Sequence, residues 1–493
     1  MKSKTIRVVM LLAVAFVLSV AAAPSFAADA TAPAARCKVL FLFDTEDYTC
    51  DASNDAIRDI ANILTDEGVR GNFNIVGFLG LRIAELGRKD VIQALRPHVL
   101  GTQTLYHSRH PDIAELGDDP SYERAYHLTM RDEAKGVGML EAVFGEGRIV
   151  FACPPGNSVS AVAFDVYSDL GIAVNAGTGF YGHPSEKGVY NGGMLVRKGK
   201  EVGGLWYFNQ YHLPYYDGFC LEYLIPGLKA KTPDVGEVLD GLAAFDIATI
   251  YMHPHMAVKV GHWDGPNYRQ GNNCKWRDWI QVADRPKEVT VEFYRRLREF
   301  VRAVKSDPRF EVTDIEAMMA TFSPRREIVR TDVPLIRASL AKKLGPIHDP
   351  ASWSVADCFC AAVRLLRGER AGVPGKVYGF LSRPRGVDRT VVLRAEDLRK
   401  AARRIDLATF LPASVPVGEV SVGPADFMLA ALEVLETGAE SVRVVPREQL
   451  GSFEAIPSVE RMRIAGSWVH TKSFEDRYLS ERLRLQLWTM RIE

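Results

Sequence analysis

The stretch KVLFLFDTEDYTC (Lys38–Cys50) is an apolar run that breaks abruptly into acidic residues. A short, continuous apolar run is typical of a strand that is buried on both faces of a parallel sheet. The carboxylates of Asp44, Glu46 and Asp47 follow directly. Because ligand chemistry in parallel α/β folds lies at the carboxyl ends of the strands, these acids are candidate functional residues.

Strand and helix patterns alternate outward from this run up to about Phe322. Apolar strand patterns occur at 70–77, 99–104, 148–156 and 247–255, and helical patterns occur at 54–68 and 289–307. Strands and helices in strict succession predict a parallel α/β architecture.

The character of the chain changes after Phe322. Residues 323–350 are basic and contain prolines, as a linker between domains does, and residues 351–493 contain a repeat. The segments ADCFCAAVRLL and ADFMLAALEVL share an Ala-Asp start, an Ala-Ala pair and a closing Leu. The two copies, at 352–385 and 419–450, predict a smaller α+β domain with an internal repeat.

Two local patterns extend this interpretation of the C-terminal part. Ser354 and Ser421 precede the two repeat segments, so each could cap a helix. Near the end of the chain, Leu483, Leu485 and Leu487 alternate with polar residues. This alternation predicts a strand.

Composition and the N-terminal segment exclude several classes of protein. The chain has 493 residues, with 61 Lys plus Arg and 61 Asp plus Glu, so no basic surplus favours nucleic acid as a partner.

Residues 1–27 combine basic residues, an apolar run and a small-residue cleavage site, which predicts a cleavable signal peptide. No later stretch is apolar enough to span a bilayer. We therefore expect a secreted or periplasmic protein without a stable membrane span.

Histidines after another predicted strand are suitable partners for the acids. Crowded carboxylates repel one another, and a divalent cation would offset that repulsion. His107 and His110, with Glu46 or Asp47, could hold the ion while Asp44 acts as a base. An acidic helix cap and two surface histidines remain the alternative.

A second pair of histidines ends the strand pattern at 247–255. His253 and His255 are two residues apart, so both point to the same side of the strand. Either could be a general acid, because histidine titrates near neutral pH. Histidines that merely pack at the rim of the sheet are an equal alternative.

Aromatic and polar side chains are interleaved in LWYFNQYHLPYYDGFC (205–220), and Trp263 lies in a loop rich in Gly and Asn. Such surfaces suit the apolar face and the hydroxyl groups of a sugar. We predict that Trp206, Tyr211, His255 and Trp263 bind substrate. An aromatic-rich core remains the alternative.

Taken in order, these motifs resemble those of the polysaccharide deacetylase family, the NodB-homology or carbohydrate esterase 4 group. The resembling segments are LFLFDTED, RGNFNIVG, LGTQTLYHS, FACPPG and IYMHPHM. The resemblance implies a distorted (β/α) TIM-like barrel of the NodB type over residues 35–322. It also implies that Asp44 is the catalytic base, that Glu46 or Asp47 binds a metal, and that His253 is the catalytic histidine.

Two positions depart from the family motifs. Gln103 occupies the place of the first metal-binding histidine. Ala152 and Cys153 occupy the region of an arginine that pairs with the base. We therefore favour His107 and His110 as the histidine ligands.

The motifs together predict an exported hydrolase that removes N-acetyl or related acyl groups from a glycan. Such an enzyme acts on carbon–nitrogen bonds other than peptide bonds, and its expected cofactor is a divalent metal, above all zinc. The expected partner is a carbohydrate polymer or a small amide. Two alternatives stay open: a catalytically degenerate protein that binds glycan or cell wall, and a hydrolase of a small non-peptide amide.

Overall fold

The apolar run near the start of the chain forms β1 (Cys37–Thr45), a strand near the centre of a large sheet. The fold is that of a computed structural model. It describes residues 36–492 except 158–159, 177–179, 182–204, 208–209, 214–217, 246, 322–325, 348–351, 373, 452–462, 465–469, 472 and 476. The predicted signal peptide lies outside the described residues.

Strands and helices alternate through the first part of the chain, as the sequence predicts. The further strands are β2 (Asn72–Ile75), β3 (Val99–Thr102), β4 (Ile149–Ala152), β5 (Val174–Ala176), β6 (Phe180–Tyr181), β7 (Leu205–Tyr207), β8 (Gln210–Leu213), β9 (Gly218–Cys220), β10 (Ile247–Met252), β11 (Phe310–Thr313), β12 (Val391–Arg394), β13 (Val415–Val417), β14 (Val420–Val422), β15 (Ser441–Val444), β16 (Arg463–Ile464) and β17 (Arg491–Ile492). The helices are α1 (Asp51–Asp66), α2 (Gly77–Glu85), α3 (Lys89–Leu95), α4 (Ile113–Gly117), α5 (Tyr122–Phe144), α6 (Ala161–Asp169), α7 (Val235–Leu242), α8 (Gly265–Tyr268), α9 (Lys287–Ser306), α10 (Ile315–Thr321), α11 (Val333–Lys342), α12 (Val355–Leu366), α13 (Ala395–Arg404), α14 (Pro424–Thr437) and α15 (Leu479–Leu485).

The large sheet runs in the order β17-β7-β8-β5-β4-β3-β2-β1-β10-β9. Every neighbouring pair from β8 to β9 is parallel. One edge of β1 is shared, because β11 pairs with its first half and β2 with its second. Parallel strands with helices around them give the barrel-like α/β arrangement that the sequence predicts. The carboxyl ends of these strands therefore lie on one side of the sheet.

Alternate residues of β1 belong to two different hydrophobic clusters. Phe41 and Phe43 join the large cluster that also contains helical residues. Leu40 and Leu42 join a smaller cluster with residues of β3, β4, β5 and β8. Because successive side chains of a strand point to opposite faces, Asp44 continues the series of Leu40 and Leu42. The strand therefore directs Asp44 towards the inner face of the sheet.

The segments ADCFCAAVRLL and ADFMLAALEVL each form a helix, α12 and α14 respectively. Helices α12 and α14 pack together, and the rings of Phe359 and Phe427 lie 5.9 Å apart. Ser354 caps α12 as expected, since its Oγ accepts the backbone N–H of Asp357 at 3.0 Å. Ser421, in contrast, lies in β14, and the residue before α14 is Gly423.

Two stretches of the C-terminal part have more helix than the sequence suggested. The predicted linker at 323–350 contains α11, which packs against α14. The strand predicted from Leu483, Leu485 and Leu487 is wrong, because α15 holds the first two and a short 3₁₀ turn holds the third. All three leucines are buried. Burial of the three leucines in a helix and a 3₁₀ turn therefore produces the alternating apolar pattern without a strand. No helix among the described residues has the length and apolar character needed to cross a bilayer.

His98, just before β3, is a neutral histidine within the barrel. Its Nδ1 accepts the backbone N–H of Gly71 at 3.0 Å, and its Nε2 lies 3.0 Å from the carbonyl oxygen of Ala61, to which it donates. Burial lowers the pKa of His98 to about 4. Protonation of Nδ1 would break the bond to Gly71, so the folded state prefers the neutral ring.

We expect His98 to make the protein sensitive to mild acid. Between its unfolded pKa of about 6.5 and its folded pKa of about 4, the unfolded chain binds a proton that the folded chain does not. The free energy of unfolding should therefore fall by about 3 kcal/mol as the pH is lowered through this window. Urea unfolding from pH 7 to pH 4 should show a shallower fall for His98→Gln than for the unaltered chain. The exposed His127 supplies the control, and an identical fall in His98→Gln would contradict the assignment.

Candidate active site

The candidate site lies where several parallel strands end. It draws acids from the ends of β1 and β9, and histidines from the ends of β3 and β10 and from the segment after β10. Its members are Asp44, Glu46, His107, Glu222, His253, His255 and His262. The parallel order of the sheet brings these residues together from positions far apart in the sequence.

Glu46 is buried at the centre of the cluster and is 3% exposed. One of its carboxylate oxygens contacts Nε2 of His107. The other, Oε1, lies 3.9 Å from Nε2 of His253, 3.7 Å from Nδ1 of His255 and 4.0 Å from Nδ1 of His262. Burial alone raises the pKa of Glu46, but His107 and His253 more than offset this effect and hold the pKa well below its usual value. Glu46 is therefore a carboxylate at neutral pH.

His255 has the properties of a candidate metal ligand. It is 2% exposed, and neither ring nitrogen has a hydrogen-bond partner among the described residues. Burial lowers the pKa of His255 to about 3, so the ring is neutral. A neutral imidazole with an available nitrogen is the form of histidine that binds metals.

One carboxylate and two imidazoles form the best candidate metal centre. Donor atoms of Glu46, His255 and His262 all lie within 4.8 Å of one another. This donor set suits zinc in a site that keeps a position for water or substrate. Glu222, His253 and His262 form a second group of similar size, but Glu222 and His253 already bind each other. The unpartnered nitrogens of His255 therefore favour the first group.

Asp44 lies beside this centre and is held by a side-chain amide. Its Oδ1 accepts a hydrogen bond of 2.5 Å from Nδ2 of Asn74 and lies 3.8 Å from the Sγ of Cys153. Its Oδ2 lies 3.3 Å from Nε2 of His253. Asn74 thus orients Asp44. The nearest cationic residue of the β3 loop, Arg109, instead lies over the ring of Tyr106.

His253 stands between two carboxylates. Its Nε2 faces Asp44, and its Nδ1 lies 2.6 Å from Oε1 of Glu222. Burial lowers the pKa of His253, but Glu46 and Glu222 outweigh burial and raise the pKa to about 10. His253 is therefore protonated at neutral pH and can donate a proton.

The loop that carries His107 has a strained backbone. Thr104 and His107 have φ values of 65° and 60°, a region that residues other than glycine seldom adopt. The backbone N–H of His107 donates to Oγ1 of Thr104 at 3.0 Å. Its Nδ1 lies 2.6 Å from Oγ of Ser108, which in turn donates to Asp264 at 2.7 Å. These contacts aim Nε2 of His107 at Glu46.

The structure does not bring two of the predicted metal ligands to the centre. Asp47 accepts the backbone N–H of Thr49 at 2.9 Å and the hydroxyl of Ser53 at 2.5 Å, so it holds the chain at the start of α1. His110 lies 2.9 Å from Oε2 of Glu115 through Nδ1 and 3.0 Å from the carbonyl oxygen of Tyr268 through Nε2. Each residue is occupied by bonds to nearby backbone and side chains.

The predicted substrate-binding residues have different positions. Tyr211 and Trp263 are buried, and His255 belongs to the candidate metal centre. The side chain of Trp206 lies outside the described residues, although its backbone belongs to β7. Tyr211 and Trp263 therefore belong to the hydrophobic clusters of the fold and do not present an exposed face to a substrate.

Sequence reasoning missed Glu222 and did not place His262 at the candidate metal centre. Glu222 lies just after β9, separated from it by Leu221, and this position after a strand was the available signal. His262 lies in the segment after β10, beyond a short 3₁₀ turn (Pro254–Ala257), so it does not continue the strand pattern that carries the two earlier histidines. Spacing along the sequence therefore gave no direct sign that His262 and His255 share a centre.

The fold and these side chains define a parallel α/β protein with a candidate metal centre at the carboxyl ends of its strands. No protein-family model matches the chain, and a search of curated proteins finds no match. Solved structures do match. A proposed polysaccharide deacetylase from Mycobacterium smegmatis is 13% identical, with a TM-score of 0.35 over 61% of this chain and 97% of that one.

Two further structures show the range of these likenesses. A 4-alpha-glucanotransferase from Thermococcus litoralis is 13% identical, with a TM-score of 0.35 over 59% of this chain and 41% of that one. A family 4 carbohydrate esterase from Streptomyces lividans is 11% identical, with a TM-score of 0.30 over 57% of this chain and 93% of that one. TM-scores this low establish no shared activity, so the function must be inferred from the site itself.

The candidate metal centre can be tested by metal content. After reconstitution with zinc, we expect elemental mass spectrometry to find close to one metal per chain, falling at least about tenfold in His255→Asn because a direct ligand is lost. His127→Asn, which alters an exposed histidine of α5, is the matched control and should keep its metal. Asp47→Asn should keep it as well. Unchanged metal content in His255→Asn would remove this residue from the ligand set.

Proposed function

We propose that this protein is a metal-dependent hydrolase that removes an N-acetyl or related acyl group from a glycan. One observation carries the proposal: a carboxylate, Asp44, and a histidine, His253, lie 3.3 Å apart beside a donor set suited to zinc. Hydrolysis of an amide needs a group that accepts a proton from water and a group that donates one to the departing nitrogen. The site offers both.

The donor residues would hold a divalent cation. When bound, such an ion polarises an acyl oxygen and lowers the pKa of water towards neutrality. Glu46, His255 and His262 would be the ligands, with His107 fixing the second oxygen of Glu46. The motif resemblance points to the same kind of chemistry, with the histidine ligands moved to the segment after β10.

Asp44 and His253 have complementary roles in this reaction. Asp44, held by Asn74, accepts a proton from water as the bond between the water oxygen and the acyl carbon forms. His253 donates a proton to the nitrogen as the carbon–nitrogen bond breaks, so the products are a carboxylic acid and a free amine. Glu222 holds Nδ1 of His253 and favours its protonated form. Glu222 is thus a positioning residue.

A second candidate function is glycan binding without turnover. Gln103, which stands where the related motif has a histidine, is 2% exposed, and its Oε1 has no hydrogen-bond partner among the described residues. A buried glutamine binds metal weakly, because its oxygen is neutral. This candidate predicts saturable binding to an N-acetylated polymer with no release of acetate.

Replacement of the proposed base separates the two functions. We expect Asp44→Asn to lower acetate release from an N-acetylglucosamine hexamer by about 10³-fold, since a general base contributes about 10²–10⁴. Metal content should stay unchanged, because Asp44 is not among the proposed ligands. Asp47→Asn is the control and should keep its activity. Full activity in Asp44→Asn would remove Asp44 from the role of base, and no activity in the unaltered, metal-loaded chain would favour the binding protein.

A further inference from the structure

A cleft of about 560 Å³ lies beside the candidate active site. Its walls come from the loops after β1 and β3, from the start of α2, and from the end of α8 with the segment that follows it. Aromatic rings dominate these walls: Tyr48, Phe78, Tyr106, Tyr268, Trp276 and Trp279. A volume in this range is typical of a ligand pocket.

The cleft and the active site share two loops. Tyr48 follows Glu46 by two residues, and Tyr106 directly precedes His107. The buried ring of Trp263 lies 4.5 Å from the ring of Tyr48 and 5.5 Å from that of His107. A single aromatic ring thus separates a wall of the cleft from the active site. A chain of sugars bound in the cleft would therefore lie close to His107, which contacts the candidate metal ligand Glu46.

The charge of the cleft is of one sign. Arg109, Lys275 and Arg277 line it, and no Asp or Glu is found among the described residues of its lining. None of these three cations has an ion-pair partner in the described part of the chain. The chain as a whole has equal numbers of acidic and basic residues. Three unpaired cations around one cleft are therefore a local feature that favours an anionic ligand.

Two of these cations lie over aromatic rings. The guanidinium of Arg109 is 4.6 Å from the ring centre of Tyr106, and that of Arg277 is 5.4 Å from the ring centre of Trp276. Trp276 is itself 68% exposed, so much of its ring is available for contact with a ligand. A guanidinium that lies over a ring keeps its N–H groups available for a carboxylate.

We propose that this cleft binds a sugar that carries a carboxylate, and that the substrate of the adjacent site is therefore an acidic glycan. The inference about the substrate rests on the function proposed above. The aromatic rings would contact the apolar faces of the sugars, while Arg109 and Arg277 bind the carboxylate through paired N–H groups. Lys275 adds a third positive charge.

A single-stranded nucleic acid is the other polyanion that aromatic and cationic clefts bind. The shared loops favour the glycan, because they place the cleft beside a site equipped for amide hydrolysis. The experiment below includes an oligonucleotide, so that this alternative is an outcome of the test.

The test compares two hexasaccharides that differ in charge. Binding to the full-length, zinc-loaded Asp44→Asn variant, in which turnover is blocked, is measured by calorimetry at low salt. The hyaluronan hexamer alternates N-acetylglucosamine with glucuronate, whereas the N-acetylglucosamine hexamer is neutral. We expect the acidic hexamer to bind about tenfold more tightly, as one well-placed pair of charged hydrogen bonds allows. Rising salt should weaken this preference.

Variants locate the preference in the cleft. In the Asp44→Asn background, Arg109→Gln and Arg277→Gln should each lower the affinity for the acidic hexamer about fivefold and leave the neutral hexamer within about twofold. Arg399→Gln, which alters an exposed arginine of α13, is the matched control and should change neither affinity. A thymidine hexamer should bind more weakly than the acidic hexasaccharide.

Three results would overturn the inference. They are equal affinity for the two hexasaccharides, an unchanged preference in both arginine variants, and tighter binding of the thymidine hexamer. The function of the active site is tested separately, by acetate release from the unaltered chain. Acetate release without a preference for the acidic hexamer would refute the cleft assignment alone. The reverse pattern would refute the hydrolase, and with it the statement about the substrate, but would leave the binding of an acidic sugar in the cleft.

Discussion

The buried charge of Glu46 is the constraint on which the site depends. A carboxylate enclosed at the end of a central strand is costly unless nearby groups compensate its charge. Compensation comes chiefly from His107 and His253, which arrive from the ends of β3 and β10. The parallel order of the sheet is what places these elements side by side, so the architecture and the charge balance of the site explain each other.

The family motifs and the side chains of the candidate site agree at some positions and differ at others. Gln103 and Cys153 replace two groups that the motifs would supply, and the structure provides others nearby. Asn74 orients Asp44, and His255 with His262 offers the imidazoles. The candidate donors His255 and His262 therefore lie on the β10 side of the site, while Asp44 and Glu46 lie at the end of β1.

Much of this arrangement was predictable from the sequence. The apolar run of β1, the alternation of strands and helices, and the convergence of Asp44, Glu46 and His253 all follow from strand periodicity and from the parallel order. Parity along β1 would also have separated Asp44 and Glu46 from Asp47. The local bonds that turn Asp47 and His110 away were not predictable, because motif spacing does not reveal which short-range partner a side chain prefers. The helical state of α15 was not predictable either, because tertiary packing decides it.

The left-handed backbone at Thr104 and His107 has a consequence for the history of such a protein. Each of these conformations costs about 1–3 kcal/mol in a residue other than glycine, and glycine would remove that cost. The loop thus gives up stability in return for an imidazole aimed at Glu46. In a descendant that no longer needed the site, selection for a stable fold alone would relax this loop first. Glycine at position 104 would then mark the loss of activity before any acid or histidine of the centre had changed.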